Sequence, residues 1–285
     1  MQREDFRALE RIEVRWSEVD AQKVVFNAHY LNYADIALTN YWRRLALPYE
    51  ASFAQLGGEL FARKATTTFH ASARYGDVLD VGIRCVKQGN TSLQFEVGIF
   101  SGLQLLNMVE LVYVFVDTKV HQPLALPDDL KRMIDAYESG GSTLQLKAGS
   151  WNDLGRDAER LRMAVFVREQ GVPREIEIDE LDPVALHAVV YNGLQQPVAT
   201  GRLVTAGKGV ARIGRMAVDK GVRGCNLGRM VLDHLVQVAR ERGDTEVILH
   251  AQCHAQEFYR RAGFVPFGEP DEEAGIPHVM MSKRF

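Results

Sequence analysis

The stretch Arg223, Gly224, Cys225, Asn226, Leu227, Gly228, Arg229 holds the densest chemical potential in the chain. An apolar run, 213–218, precedes it, and Leu227, Met230, Val231, Leu235 and Val238 follow at helical spacing. Strand, glycine-punctuated loop and helix in that order put unpaired backbone N–H groups at a helix start, where the helix dipole also favours an anion. Arg223 and Arg229 add positive charge. The pattern predicts a cradle for a phosphate group.

The elements around the cradle read as a mixed α/β arrangement. Residues 158–169 carry helical periodicity, and 186–191, 198–205 and 246–251 read as strands. A short helix is predicted over 255–262 and an edge strand over 278–285. Between these elements lies an acidic stretch with Glu177, Asp179 and Asp182. His250, Cys253 and His254 are a conceivable metal set, but they straddle a strand end and offer no fourth ligand, so no metal is expected.

The first half has a different rhythm. Residues 11–19 alternate as a strand. From Tyr30 the apolar positions Ala34, Ala37, Tyr41 and Leu45 share one helical face, with Leu31, Leu38 and Trp42 beside it, so a largely buried helix is predicted, ending at Pro48. Asn27 is its expected N-cap. Leu79, Val81, Ile83 and Cys85 then alternate with polar or small residues, Gln88-Gly89-Asn90 turns, and Leu93, Phe95, Val97 and Ile99 alternate again. Further strands are expected over 60–75 and 105–117, and a short helix from Pro127 to Tyr137. The Gly140-Gly141 stretch breaks all periodicity and reads as a flexible linker. The expected organisation is α+β throughout: a first domain over 1–138, a linker over 139–145 and a second domain over 146–285.

Composition bounds the function. The net charge of −3 and the lack of a basic block argue against nucleic acid as partner. No apolar run approaches the length of a membrane span, the first residues lack a signal-peptide core, and the odd cysteine count of 3 indicates no disulfide framework. A cytoplasmic protein with no membrane partner is expected.

VRGCNLGR after GRMAV resembles the phosphate loop of the GNAT superfamily of acyl-CoA-dependent N-acyltransferases, and AQEFYRRAGF and HVMM strengthen the likeness over residues 146–285. VFVREQGVP, EIEIDELD and EAGIPHVMM resemble one bacterial subgroup. The resemblance implies attack of an amine on acetyl-CoA or another acyl-CoA. Met216, Ala217 and Val218 would offer backbone groups to the acyl carbonyl and pantetheine arm, and N–H groups of Arg223 to Arg229 would hold the pyrophosphate. Tyr259 would protonate the departing thiolate. Asn226 stands where the family usually has glycine; asparagine is the residue that next best tolerates a left-handed backbone. Glu177, Asp179 and Asp182 either recognise a cationic substrate or form a solvated acidic loop, and no residue stands out as general base. The same acidic set with VFVREQ also resembles acyl-homoserine-lactone synthases, against which VRGCNLGR argues.

VRWSEVDAQKVVFNAHYLNYADIA resembles the hotdog-fold acyl-CoA thioesterases of the 4-hydroxybenzoyl-CoA thioesterase type, and RYGDVLDV and VYVFVDTKVHQPLALPDDL extend the likeness over residues 11–137. The resemblance implies that Asp20 is catalytic, as nucleophile or as activator of water, opposite a thioester carbonyl polarised by N–H groups at the start of the buried helix. Lys23 replaces the family's usual glycine and Asn27 its frequent histidine; Lys23 reshapes the loop or holds a CoA phosphate, Asn27 caps the helix or orients the carbonyl, and His29 fills a polar or a structural role. Glu18 is expected on the solvent side by strand alternation. The family's sites form between protomers, so a homo-oligomer, dimer or tetramer, is expected through the hotdog domain. Together the two likenesses predict a bifunctional enzyme of acyl-CoA hydrolysis and acyl transfer to an amine. The alternative is a CoA-binding sensor or scaffold with one silent domain.

Overall fold

Alternating apolar residues from Leu79 to Ile99 form the central hairpin of the first unit. The structure, a computed structural model, describes all residues 1–285 and divides into two compact units, Met1–Thr143 and Leu144–Phe285. No helix is long and apolar enough to cross a membrane.

The first unit contains β1 (Leu9–Glu13), α1 (His29–Arg44), α2 (Tyr49–Leu56), β2 (Glu59–Phe69), β3 (Val78–Gln88), β4 (Ser92–Ser101), β5 (Gln104–Val116) and α3 (Asp128–Glu138). The sheet order is β1-β3-β4-β5-β2, antiparallel throughout. α1 buries Tyr30, Tyr33, Ala34, Ala37, Tyr41 and Trp42 against it. Tyr41 stacks edge-on to Phe95 of β4 and Tyr137 of α3, so aromatic packing ties both helices to the sheet. The outer face of α1 exposes Leu31, Asp35 and Ile36, which makes the helix less buried than its composition predicts.

Four local expectations are corrected. β1 ends at Glu13 rather than running to Val19, and a 3₁₀ turn at Trp16–Glu18 breaks the alternation. Glu18 is therefore buried, where it accepts hydrogen bonds from the Tyr33 hydroxyl at 2.7 Å and the Arg15 N–H at 2.8 Å. Asn27 is exposed and caps nothing: the N-cap position is Ala28, with no side-chain cap. The helix also stops at Arg44, and Pro48 instead introduces α2.

The second unit runs β6 (Gln145–Gly149), α4 (Trp151–Arg162), a π-helical turn (Met163–Glu169), α5 (Arg174–Glu177), β7 (Leu186–Tyr191), β8 (Pro197–Gly207), β9 (Val210–Val218), α6 (Leu227–Glu241), β10 (Glu246–Gln252), α7 (Gln256–Arg260), β11 (Val265–Glu273) and β12 (Ile276–Arg284). Its sheet order is β11-β12-β10-β9-β8-β7-β6. All pairs are antiparallel except β9 with β10. The last strand, expected at an edge, is covered by β11.

The parallel pair creates the opening. β9 and β10 pair only from Val210↔Glu246 to Ile213↔Leu249, and beyond that point they part. On the other side of β9, Arg202↔Gly214 is followed by Thr200↔Ala217, so Arg215 and Met216 oppose Gly201 in a β-bulge, with Arg215 at φ +53°. A Cβ on Gly201 would lie 2.5 Å from Met216 Sδ and 2.8 Å from Val231 Cγ1, so any larger residue opposite the bulge must displace both side chains.

Candidate functional site

The two strands diverge into a cavity of about 970 Å³. Its walls come from the ends of β9 and β10, the start of α6, α7, the π-helical turn and the β11–β12 hairpin. Gly214, Met216 and Val218 line one side, while Ala217 turns into the core.

Asn226 is at φ +61°, ψ +10°, a left-handed conformation that asparagine tolerates best after glycine, and it immediately precedes α6. Gly224 is at φ +85°. The loop thus wraps onto the first turn of α6, whose N–H groups have no acceptor within the helix. Arg223, Gly224, Asn226, Leu227, Gly228 and Arg229 line the cavity; Cys225 does not. Gly228 packs closely: an added Cβ would meet Val218 Cγ2 at 3.3 Å and Phe258 Cζ at 3.6 Å.

The charge expected from Arg223 and Arg229 is already partnered. Arg223 forms a two-pronged pair with Glu169 at 2.6 and 2.7 Å and also donates to the Val218 carbonyl. That pairing lowers the Glu169 carboxyl and raises the Arg223 guanidinium from their usual ranges. Arg229 pairs with Asp233 and donates to the Arg261 carbonyl at 3.0 Å. What remains for an anion is the backbone and the helix dipole.

Tyr259 lies on α7 and lines the same cavity. Its ring packs on Phe258 and Phe264, and burial pushes the phenol up to about 12, so it carries its proton at neutral pH. That is the state a proton donor needs.

The acidic trio is not a solvated loop. Arg162 donates from Nε to Glu177 at 2.5 Å and from Nη1 and Nη2 to Asp182 at 2.7 and 3.0 Å. Arg202 bridges Asp179 at 2.6 Å and Asp182 at 2.8 Å, and Arg215 reaches Asp179 at 3.0 Å. Three arginines neutralise three carboxylates, so the trio brings no net charge to an amine. Asp182 is buried away from the cavity, whereas Glu177 and Asp179 line it. Sequence reading missed these partners because Arg162, Arg202 and Arg215 come from three separate elements.

His250 is likewise engaged: Nε2 faces Asp271 at 2.6 Å and Nδ1 faces Glu273 at 3.1 Å. No group of three His, Cys, Asp or Glu side chains converges in a way that could hold a metal.

In the first unit, Asp20 is half-buried in a tight turn, 20–23, between the bridged residues Val19 and Val25. Its Oδ1 accepts the Gln22 N–H at 2.8 Å. Lys23 is at φ +62°, which explains glycine as the residue expected there. Lys23→Gly should stabilise the protein by about 0.5–1 kcal/mol, relief of left-handed strain exceeding the added chain entropy of glycine; a lowered denaturation midpoint would contradict this. The turn is anchored by Val25 N–H on the Ala73 carbonyl at 2.8 Å and Phe26 N–H on the Glu18 carbonyl at 2.9 Å. His29 is the first residue of α1, with Nδ1 3.1 Å from the Asn32 amide and its ring edge-on to Phe26. Tyr30 accepts the Ala73 N–H through its hydroxyl at 3.0 Å. Asp20, the turn and the start of α1 are therefore held together through Ala73.

Two family models match this chain: an Acetyltransferase (GNAT) domain over residues 157–285 and a Thioesterase-like superfamily domain over residues 14–134. An uncharacterized N-acetyltransferase, YjcF, of Bacillus subtilis is 39% identical over 129 residues, 45% of this chain and 91% of that protein. The structure of an acyl-CoA N-acyltransferase from Pseudomonas aeruginosa is 35% identical, covering 49% of this chain and 99% of that one, with a TM-score of 0.45. A thioesterase complexed with coenzyme A and Zn from Thermus thermophilus is 24% identical, covering 48% of this chain and 97% of that one, with a TM-score of 0.42.

Proposed function

Because the chain belongs to the GNAT acetyltransferase family through its second unit and carries a thioesterase-like superfamily domain in its first, we propose that it is a bifunctional enzyme of CoA thioesters. The first unit hydrolyses an acyl-CoA; the second transfers an acyl group from CoA to an amine. The observation that carries the reading is the second unit's cavity, into which a left-handed Asn226 loop, the start of α6, the free edge of β9 and protonated Tyr259 all converge.

In the second unit the pyrophosphate of the substrate lies against N–H groups of the 223–229 loop, and the pantetheine arm runs along Met216 and Val218. An amine attacks the thioester carbonyl, and Tyr259 protonates the sulfur that leaves. Glu177 and Asp179 contribute to the acceptor wall as members of a neutralised network, a role narrower than direct binding of a cation.

In the first unit Asp20 acts on the thioester carbonyl, as nucleophile or through water. Its Oδ1 is fixed by the Gln22 N–H, which leaves Oδ2 for the reaction. His29 and Asn27 flank the substrate at the start of α1. The exposed apolar residues of α1 and of edge strand β2, Leu31, Ile36, Phe61 and Phe69, support assembly with a second copy of the chain. A cytoplasmic setting suits substrates of this kind.

The test is release of free thiol from a panel of acyl-CoAs, without amine, by wild type and Asp20→Asn. General-base or nucleophilic loss predicts a fall of roughly 10²–10⁴-fold. Equal release by the two proteins would remove Asp20 from the mechanism.

A further inference from the structure

The acyl transfer has no assigned proton acceptor, yet the attacking amine must lose a proton. Glu177 and Asp179 are committed to arginines. His250 has a carboxylate at each ring nitrogen, so neither nitrogen is offered to the cavity. His278 differs. It lies on β12 opposite Gln252 of β10, is 8% exposed, and lines the cavity.

The tautomer of His278 follows from one contact. Nδ1 lies 2.7 Å from the Ile276 carbonyl oxygen. A carbonyl only accepts, so Nδ1 carries the hydrogen and the neutral ring holds its lone pair on Nε2. Nε2 has no hydrogen-bond partner in the protein and is not fully enclosed, on a residue that lines the cavity. The ring itself is clamped: it stacks on His250 at 4.6 Å between centroids. Gln252, beside it, donates to Gln170, the residue that follows the π-helical turn, at 2.9 Å, which fixes the neighbouring floor. A held imidazole with a free lone pair in a substrate cavity is what general-base catalysis requires.

We propose that His278 is the general base of the acyl transfer, accepting the amine proton at Nε2. The proposal rests on the acyltransferase reading of the second unit. The amine nitrogen attacks the thioester carbon, a C–N bond forms, and the carbonyl π pair moves to oxygen. The nitrogen's proton passes to His278 Nε2. Collapse restores the carbonyl and breaks the C–S bond, and the sulfur takes the Tyr259 proton. Solvent then returns a proton to Tyr259 and removes one from His278. The groups around His278 are His250 on β10, whose ring packs against it, and Asp271, its cross-strand partner on β11, which with Glu273 also holds His250; His254, Tyr259, Glu177, Asp179 and Arg215 line the same cavity.

The test uses the full chain as His278→Asn, whose amide keeps a donor for the Ile276 carbonyl but no base. Acetyl-CoA is the donor, and spermidine, glucosamine and a lysyl peptide are the amine probes. Amine-dependent turnover should fall about 10²–10⁴-fold. Acetyl-CoA affinity should stay unchanged, the acid limb of the pH–rate profile should disappear, and added imidazole should restore part of the rate. Nitrogen NMR of the wild-type imidazole should find the proton on Nδ1 and a bare Nε2, independently of turnover or of the variant's folding. Unchanged turnover in His278→Asn, or a proton on Nε2 instead, overturns this assignment alone. No amine-dependent turnover by wild type with any of the probes overturns the acyltransferase reading and the assignment together.

Discussion

Arg162→Ala should destabilise the second unit by about 3–5 kcal/mol, the cost of removing one partner from a buried ionic set. The arginine is 1% exposed and is the only group bonded to both Glu177 and Asp182 through its fork. Its loss leaves Glu177 buried with only Arg215 nearby, at 3.7 Å. Lysine should not rescue it, because a point charge cannot bridge two carboxylates in one plane. In a unit of this size the melting temperature should fall by roughly 10 °C or more. Calorimetry of the full chain measures this directly; an unchanged transition would mean the network contributes nothing.

The same network sets an acid sensitivity. Burial alone would raise the Asp182 carboxyl, but hydrogen bonds from Arg162 and Arg202 overcome it and hold it at about 2. A carboxyl depressed in the folded state contributes stability above its unfolded value, near ~4, and loses it as pH falls toward the folded one. The Asp182 contribution is therefore complete above about pH 4 and fades between there and about pH 2. Glu177 behaves oppositely: burial outweighs Arg215 and Arg162 and raises its carboxyl, so it protonates first on acidification.

The second large effect concerns the phosphate cradle. Gly228→Glu should abolish CoA binding at the second unit by placing bulk and negative charge at the proposed pyrophosphate site. An added Cβ at Gly228 would already press on Val218 Cγ2 at 3.3 Å and touch Phe258 Cζ at 3.6 Å, so a longer side chain crowds the start of α6. In the full chain, titration calorimetry should register one class of CoA site instead of two, with the first unit's site untouched. Retention of both classes would refute the placement.

Much of this architecture is legible in the residues, for reasons that differ by region. The β3–β4 hairpin is plain because period-two alternation and a Gln88-Gly89-Asn90 turn agree. Asn226 can be recognised as a left-handed position because few residues other than glycine tolerate one. Glu18 was hidden because a 3₁₀ turn cancels strand parity, and parity is all a sequence offers. The arginine partners were hidden for another reason. Glu169 and Arg223 are 54 residues apart, and Asp182 and Arg202 are 20 apart; charge alone does not say which carboxylate a guanidinium will find. His278 stood in the EAGIPHVMM stretch as a family mark without a role. Its role emerges only when Ile276 fixes one nitrogen and the cavity leaves the other free.

The central claim is that one chain carries two separable activities on CoA thioesters. The most direct measurement follows acetyl-CoA with the Asp20→Asn protein, in which hydrolysis is suppressed, while amines are added and products are read by mass spectrometry. The account predicts an N-acetylated amine formed in equal amount to the free thiol. Thiol released at the wild-type rate, with no acetylated amine at any concentration, would contradict it.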